Sequence, residues 1–574
     1  MANIKFSQFT TKTDPANVDF LVGYLGGDNV KIDPANLGGG GASDLNGLSD
    51  CLVDTDSLYI AEVPSGLSGN PQGNTVMGID AGAALTSGAN NTFIGNDAGL
   101  VATTTTNSVA IGFQSGKGIT SNQNNVCIGA NTFDIAAGQD SVAIGFQAGR
   151  ISSVASGVYI GYQAGWANAG AGNVGVGYES LFGGGGTNSV GYGYQTAKNN
   201  TASGHTSIGY QAGFSQTSGA ENTNIGYLAG YDNTTNGSRT CVGYQAGKES
   251  TGAWNTMVGA YAGRKITGAG CVAIGRNALL NNTSGGNNVG IGHEAGNWTA
   301  TGGENTFVGT AAGRQNSTGG SNTAVGYEAL FLNLASNNTC IGTSSGRYVT
   351  TTSDNTFLGY QAGKGKTSGT VSGASNVAIG SDCFTTMVSA SNNVVIGYRT
   401  LGGVGEQTGN NNTFVGNSIY FNAYFSGSNT TALGNGANPS AQNVSNEITL
   451  GNSSIGTLRC QQTSITSLSD QRDKKDIETI PYGLDFVNSL KPKKFVWDNR
   501  AETDGEGKEF YSSNKGKKDI GFIAQELQTV DDDYLNLVYD ANPEKLEATY
   551  GKLIPVLVKA IQDLSAKVTA LENA

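Results

Sequence analysis

The chain has 574 residues, of which 88 are glycine and only 13% are charged, with a net charge of −12. That balance, with no basic cluster, argues against nucleic-acid binding. No stretch of 18 apolar residues occurs, and nothing before Phe20 has the layout of a secretory signal. A cytoplasmically assembled protein with no membrane insertion is expected. The average hides two unlike parts. Residues 469–574 carry 35 charges in 106 residues, whereas the preceding 468 residues carry 41. Seven cysteines (51, 127, 241, 271, 340, 383, 460) lack any Cys-x-x-Cys spacing, so neither a metal nor a cofactor is expected.

Residues 1–41 contain two strand-like runs, Asp19 to Tyr24 and Asn29 to Pro34, followed by a flexible break at Gly38 to Gly41. A short module of this kind before a long repeat array resembles the virion-attachment ends of phage tail proteins. Residues 42–73 read as a connector.

Residues 74–456 repeat one phrase about 23 times, as in Asn91-Thr-Phe-Ile-Gly-Asn-Asp-Ala-Gly99 and Ser141-Val-Ala-Ile-Gly-Phe-Gln-Ala-Gly149. The period is 16 or 17 residues from Gly78 to Gly359 and loosens from there to Gly451. The residue before each anchor glycine is aliphatic in nearly every repeat, Tyr192 being an exception. Three residues after the glycine, every position from Ala81 to Ala362 is Ala, Ser or Thr. Such columns suit stacked coils in close backbone approach. Strand alternation places the residues one and three before the glycine on one face and the residue between them on the other. The aliphatic column is expected to lie buried along the axis, with the asparagine- and threonine-rich turns outside. No proline occurs between Pro71 and Pro439, as a continuous hydrogen-bonded ladder requires.

Cys127, Cys241 and Cys340 share one repeat position and read as fillers of a small apolar slot. Tyrosines often follow the anchor glycine (Tyr162, Tyr178, Tyr210, Tyr227, Tyr244, Tyr360), and Trp166, Trp254 and Trp298 fall between repeats. These rings suit either packing or stacking on sugars. The phrase Ser-Val-Ala-Ile-Gly-x-x-Ala-Gly resembles the head repeats of trimeric autotransporter adhesins. That resemblance implies a mainly β fold with a trimeric parallel β-roll or β-helix-like shaft.

After a connector at residues 457–468 comes Ser469-Asp470-Gln471-Arg472-Asp473-Lys474. A serine with a lysine five residues on can form a nucleophile–base pair if the lysine is partly desolvated. The only histidines, His205 and His293, lie far upstream, which leaves no Ser-His-Asp triad within the C-terminal domain. The alternative on these six residues is a serine that N-caps a helix. Further on, Ile554, Leu557, Ile561, Leu564, Val568 and Leu571 are spaced 3, 4, 3, 4, 3, an a/d seam of nearly three heptads. Its alternative is an amphipathic helix lying on its own domain's core. The simple heptad rule favours a parallel dimer.

Residues 469–574 resemble the C-terminal intramolecular chaperone and autoprotease domain of phage endosialidases, tail fibres and tailspikes. The matching pieces are Ser469-Asp470-x-Arg472-x-Lys474-x-x-Ile477, Leu490 to Trp497, Gly521 to Leu527, and Tyr550-Gly551-Lys552-Leu553 running into Ala560 to Leu564. The resemblance implies an α+β domain ending in a coiled-coil helix, a homotrimer, and self-cleavage between Leu468 and Ser469. Ser469 would be the nucleophile and Lys474 its base, with Lys475 a possible competitor. Asp470 and Arg472 match supporting positions. The whole reads as a phage tail fibre or tailspike-like virion protein, assembled in the host cytoplasm. Its N-terminus would join baseplate or tail proteins, and its shaft would meet a host-surface glycan or protein. A bacterial trimeric surface adhesin and a glycan depolymerase tailspike are the alternatives.

Overall fold

The computed structural model describes residues 21–25, 28–32, 51–54, 57–60, 66–68 and 72–574, apart from 136, 185, 368–370, 404, 421–422, 456, 460, 462–468, 504–508, 511–513, 541 and 545. The glycine break at 38–41 and Leu468 lie outside the described residues. The chain divides into two compact units, Met1–Glu304 and Asn305–Ala574.

In the first unit, the two N-terminal runs pair as an antiparallel hairpin, Leu21–Leu25 with Asp28–Ile32. A second hairpin, Cys51–Asp54 with Ser57–Ile60, opens a parallel stack in which Leu58 pairs with Thr75. Fourteen three-residue strands follow, from Thr75–Met77 to Val289–Ile291, each in parallel register with its neighbour one repeat away. One repeat is therefore one coil of a β-solenoid. In the second unit, nine more strands run from Thr306–Val308 to Ile448–Leu450 in the same parallel manner. Where the repeat loosens, the strands persist and the added residues enter the turns, with bridges such as Met387 to Gln407.

The anchor glycine has a steric cause. Gly209 sits at φ +134°, and a Cβ there would lie 2.5 Å from the carbonyl oxygen of Gly226 in the next coil. Both the positive φ and the close approach exclude a side chain. Gly209→Ala is expected to cost about 3 kcal/mol of shaft stability. Gly183→Ala, whose Cβ would meet only the Lys198 carbonyl at 3.4 Å, is expected to stay within about 0.5 kcal/mol. Thermal unfolding of the two variants checks the contrast.

The interior differs from the expected one. From Thr75–Met77 to Thr431–Leu433 the middle residue of the strand, two before the glycine, lies inside the coil: Phe93, Ala110, Cys127, Ala143 and Tyr159 are all fully buried. The small residue three after the glycine, such as Ala98 or Ala164, packs beside it. The aliphatic residue directly before the glycine points out instead. Ile128 and Ile160 are 37% and 36% exposed. A three-residue strand aims only its central side chain inward, so the aliphatic column belongs to the outer face. The asparagines four before the glycine are not outside either. Asn91, Asn125, Asn338, Asn355 and Asn376 are buried, and Asn355 Oδ1 accepts from the backbone N–H of Asn376 at 3.0 Å. Each such asparagine satisfies backbone groups of the adjoining coil that water cannot reach.

His205 and Arg239 occupy this asparagine column. His205 Nδ1 accepts from the Asn222 N–H at 3.3 Å, and burial lowers its pKa to about 4. The native ring stays neutral while the unfolded one charges below pH 6.5. Stability is thus expected to fall as pH drops from about 6.5 to about 4, by up to about 3 kcal/mol. His205→Asn restores the column's usual residue and should flatten that limb in pH-resolved thermal melts. Burial also raises the Cys383 thiol to about 12, in keeping with a packing role.

The exposed tyrosines stack on one another from coil to coil. Tyr162, Tyr178, Tyr194, Tyr210, Tyr227 and Tyr244 form one ladder with ring centroids 4.9–5.2 Å apart. Trp166 stacks likewise on Phe182 at 5.1 Å. These ring faces are occupied by their neighbours, so packing is the role the geometry gives them. Trp254 and Trp298 are exposed.

Candidate active site

The segment after Leu468 folds as a single 3₁₀ turn, Gln471–Asp473. Its N-cap is Asp470, whose Oδ1 accepts from the Arg472 N–H at 2.8 Å. The Arg472 guanidinium returns to the same carboxylate, with Nη2 to Oδ2 at 2.6 Å. These hydrogen bonds from Arg472 hold the Asp470 carboxyl below the usual range. Because Asp470 takes the capping role, the Ser469 hydroxyl is left for another partner. The turn brings Lys474 back over its start, where Nζ lies 2.5 Å from Ser469 Oγ and 3.5 Å from the Ser469 carbonyl oxygen. Lys475 turns instead toward Asp476, at 3.9 Å.

Geometry therefore couples Ser469 with Lys474 and uses Asp470 and Arg472 as a brace. Both members of the pair are exposed in the single chain. Leu468, on the acyl side of the expected scissile bond, lies outside the described residues.

The other motif pieces converge on one another. Lys493–Val496 pairs antiparallel with Lys518–Gly521. Tyr550 Oη accepts from the Phe522 N–H at 3.3 Å. Phe495, Trp497, Asp519, Phe522 and Tyr550 line an open groove between them. Among the described residues, the domain also has the helices α1 (Leu484–Ser489), α2 (Ala524–Leu527) and α3 (Leu553–Glu572). Leu527, Leu535, Leu537, Leu553 and Val556 form its core. α3 thus uses one face inward, through Leu553, Val556 and Ala560, and leaves the a/d seam from Ile554 to Leu571 exposed. The seam residues are thus not the ones that lie on the domain's own core, contrary to the second sequence reading of this helix.

A family model described as chaperone of endosialidase matches residues 469–536. The match begins at Ser469, the first residue of the coupled pair. No curated protein and no solved structure matches the chain. The protein thus joins a β-solenoid array to a C-terminal segment that is similar to the chaperone-of-endosialidase family over residues 469–536.

Sequence reasoning missed one contact. Glu447 takes the asparagine-column position in the last coil and accepts from Tyr539 Oη of the C-terminal domain at 2.8 Å. Burial would raise this carboxyl, but hydrogen bonds from Ser440, Thr449 and Tyr539 hold it below the usual range. A carboxylate where the column calls for asparagine was the available signal. Among the described residues no cluster suited to holding a metal occurs, and no helix is long and apolar enough to cross a membrane.

Proposed function

We propose that this is a phage tail fibre or tailspike-like virion protein whose C-terminal domain assembles three chains and then cuts itself away between Leu468 and Ser469. The observation that carries the reading is the 2.5 Å approach of Lys474 Nζ to Ser469 Oγ, at the residue where the family match starts.

In this scheme neutral Lys474 takes the hydroxyl proton as Ser469 Oγ attacks the Leu468 carbonyl carbon. The C–N bond breaks, the lysine's proton passes to the departing Ser469 nitrogen, and Leu468 becomes an ester on Oγ. Water then hydrolyses the ester, giving a Leu468 carboxylate and restoring the hydroxyl. Lys474 is exposed in one chain, so burial against another chain is what would arm it. Cleavage on this account follows assembly, and it frees the folded shaft from its clamp. The N-terminus would hold the virion, and the shaft would serve attachment to the host surface.

Intact-mass measurement of the purified protein tests the reading. Fragments ending at Leu468 and beginning at Ser469 are expected. A single full-length mass from assembled protein overturns it.

A further inference from the structure

Arg239 carries a buried charge that neither the coil nor the cleavage site uses. It stands in the asparagine column just before the strand Thr240–Val242, and only 1% of its surface is exposed. A guanidinium keeps its proton in proteins, so the coil encloses a full positive charge. Among the described residues, Cys241 is the only ionisable group whose charge acts on it. Nη2 lies 3.9 Å from Cys241 Sγ, while Nε and Nη1 have no acceptor. Burial raises that thiol, so it stays protonated and makes a weak, uncharged contact.

The column explains the shortage. An asparagine at this place lends a side-chain oxygen to the N–H of the next coil. Arg239 N–H donates to Asn222 Oδ1 at 3.0 Å, and Cys271 N–H donates to Asn255 Oδ1 at 2.7 Å. Asn255 follows Arg239 in the column, and a guanidinium has no lone pair to offer it. The buried Asn255 N–H accordingly makes no hydrogen bond among the described residues. Arginine here adds donors and a charge while it removes an acceptor. The interior is polar as well, since Ser207 and Asn224 are the middle residues of the two preceding strands. A charge enclosed in this way is strongly destabilising unless an opposite charge accompanies it.

We infer that Arg239 holds a small inorganic anion of the halide class, chloride in ordinary buffers, inside the coil. One guanidinium calls for one negative charge, which a halide supplies. A halide is also a single atom that accepts from several donors at once. Nε, Nη1 and the Asn255 N–H are the donors the arginine leaves without acceptors. Phosphate brings more charge than Arg239 balances and more bulk than an enclosed coil admits. Water would accept from the same donors but leave the charge uncompensated. Because only the folded coil gathers these donors, bound chloride stabilises the shaft by mass action.

Thermal melts of the full chain across a chloride series test this, with gluconate holding the ionic strength constant. The midpoint of the parent should rise by about 1–2 °C for each tenfold rise in chloride above the dissociation constant. Bromide should act as chloride does. Arg239→Asn, which restores the column's usual residue, should lose that response. Arg239→Gln, which keeps much of the side chain without its charge, repeats the test should the first variant misfold. Cys241→Ala should retain the response. A parent midpoint that ignores chloride, or an equal rise in the Arg239 variants, overturns the site. A flat parent with a response gained in Cys241→Ala would overturn it too, by assigning the counter-charge to the thiolate.

Discussion

Ser469→Ala is expected to leave the chain at full length while still permitting assembly. In the proposed mechanism the hydroxyl supplies the nucleophile, and its removal leaves an exposed turn whose cap is Asp470 and whose brace is Arg472. Lys474→Ala should slow cutting by about 100-fold or more, the scale of a lost general base. Lys475→Ala should cut nearly as the parent does, because that side chain turns to Asp476. Asp470→Ala should give a partial defect, since it loosens the turn that brings Lys474 to Ser469 and removes neither reacting group. Time courses of the full-length band, read by mass, separate the four variants. Parent-like cutting in Ser469→Ala would end the mechanism.

Deleting residues 469–574 before synthesis is the second large effect, with a monomeric or aggregated shaft expected. By contrast, removal of the same domain after assembly should leave a stable oligomer. The physical cause lies in the near-identical repeats of the shaft. Pairing a coil with the wrong neighbour sets valine or threonine and isoleucine against much the same residues, so misregistered arrangements differ little in energy. Long β-pairings also nucleate slowly and expose edges while they wait. On the proposed assembly, a terminal clamp would set the register once, and the rungs would then close from a fixed start. Sedimentation of the truncated product decides the matter. A soluble trimer from the shortened gene would show the clamp to be dispensable.

The two parts of the molecule differ in how openly the sequence declares them. Columns of glycine, aliphatic and small residues announce a stacked coil with one repeat per turn, because each coil must meet the next in the same way. The pairing of Val158 with Val174 and Tyr159 with Gly175 is that repeat made physical. The five-residue step from Ser469 to Lys474 likewise announces a possible pair, and local turn geometry is sufficient to close it.

Which face of the strand lies inside was not legible. A period fixes alternation, yet an aliphatic column and an alanine- or phenylalanine-bearing column satisfy it equally. Only the closure of the coil decided that Phe93 and Tyr159 fill the interior while Ile128 and Ile160 face out. The buried asparagines were hidden for a related reason. Asparagine is common in turns, and its inward role at Asn355 exists only because the adjoining coil presents an unpaired N–H to it. The contact of Tyr539 with Glu447 joins residues 92 apart and depends on how the last coil meets the C-terminal domain. Local spacing carries the coil and the Ser469–Lys474 turn, because both close within a few residues. Interior, exterior and long-range contacts need the folded chain, because burial belongs to the packing of many coils and not to any single repeat.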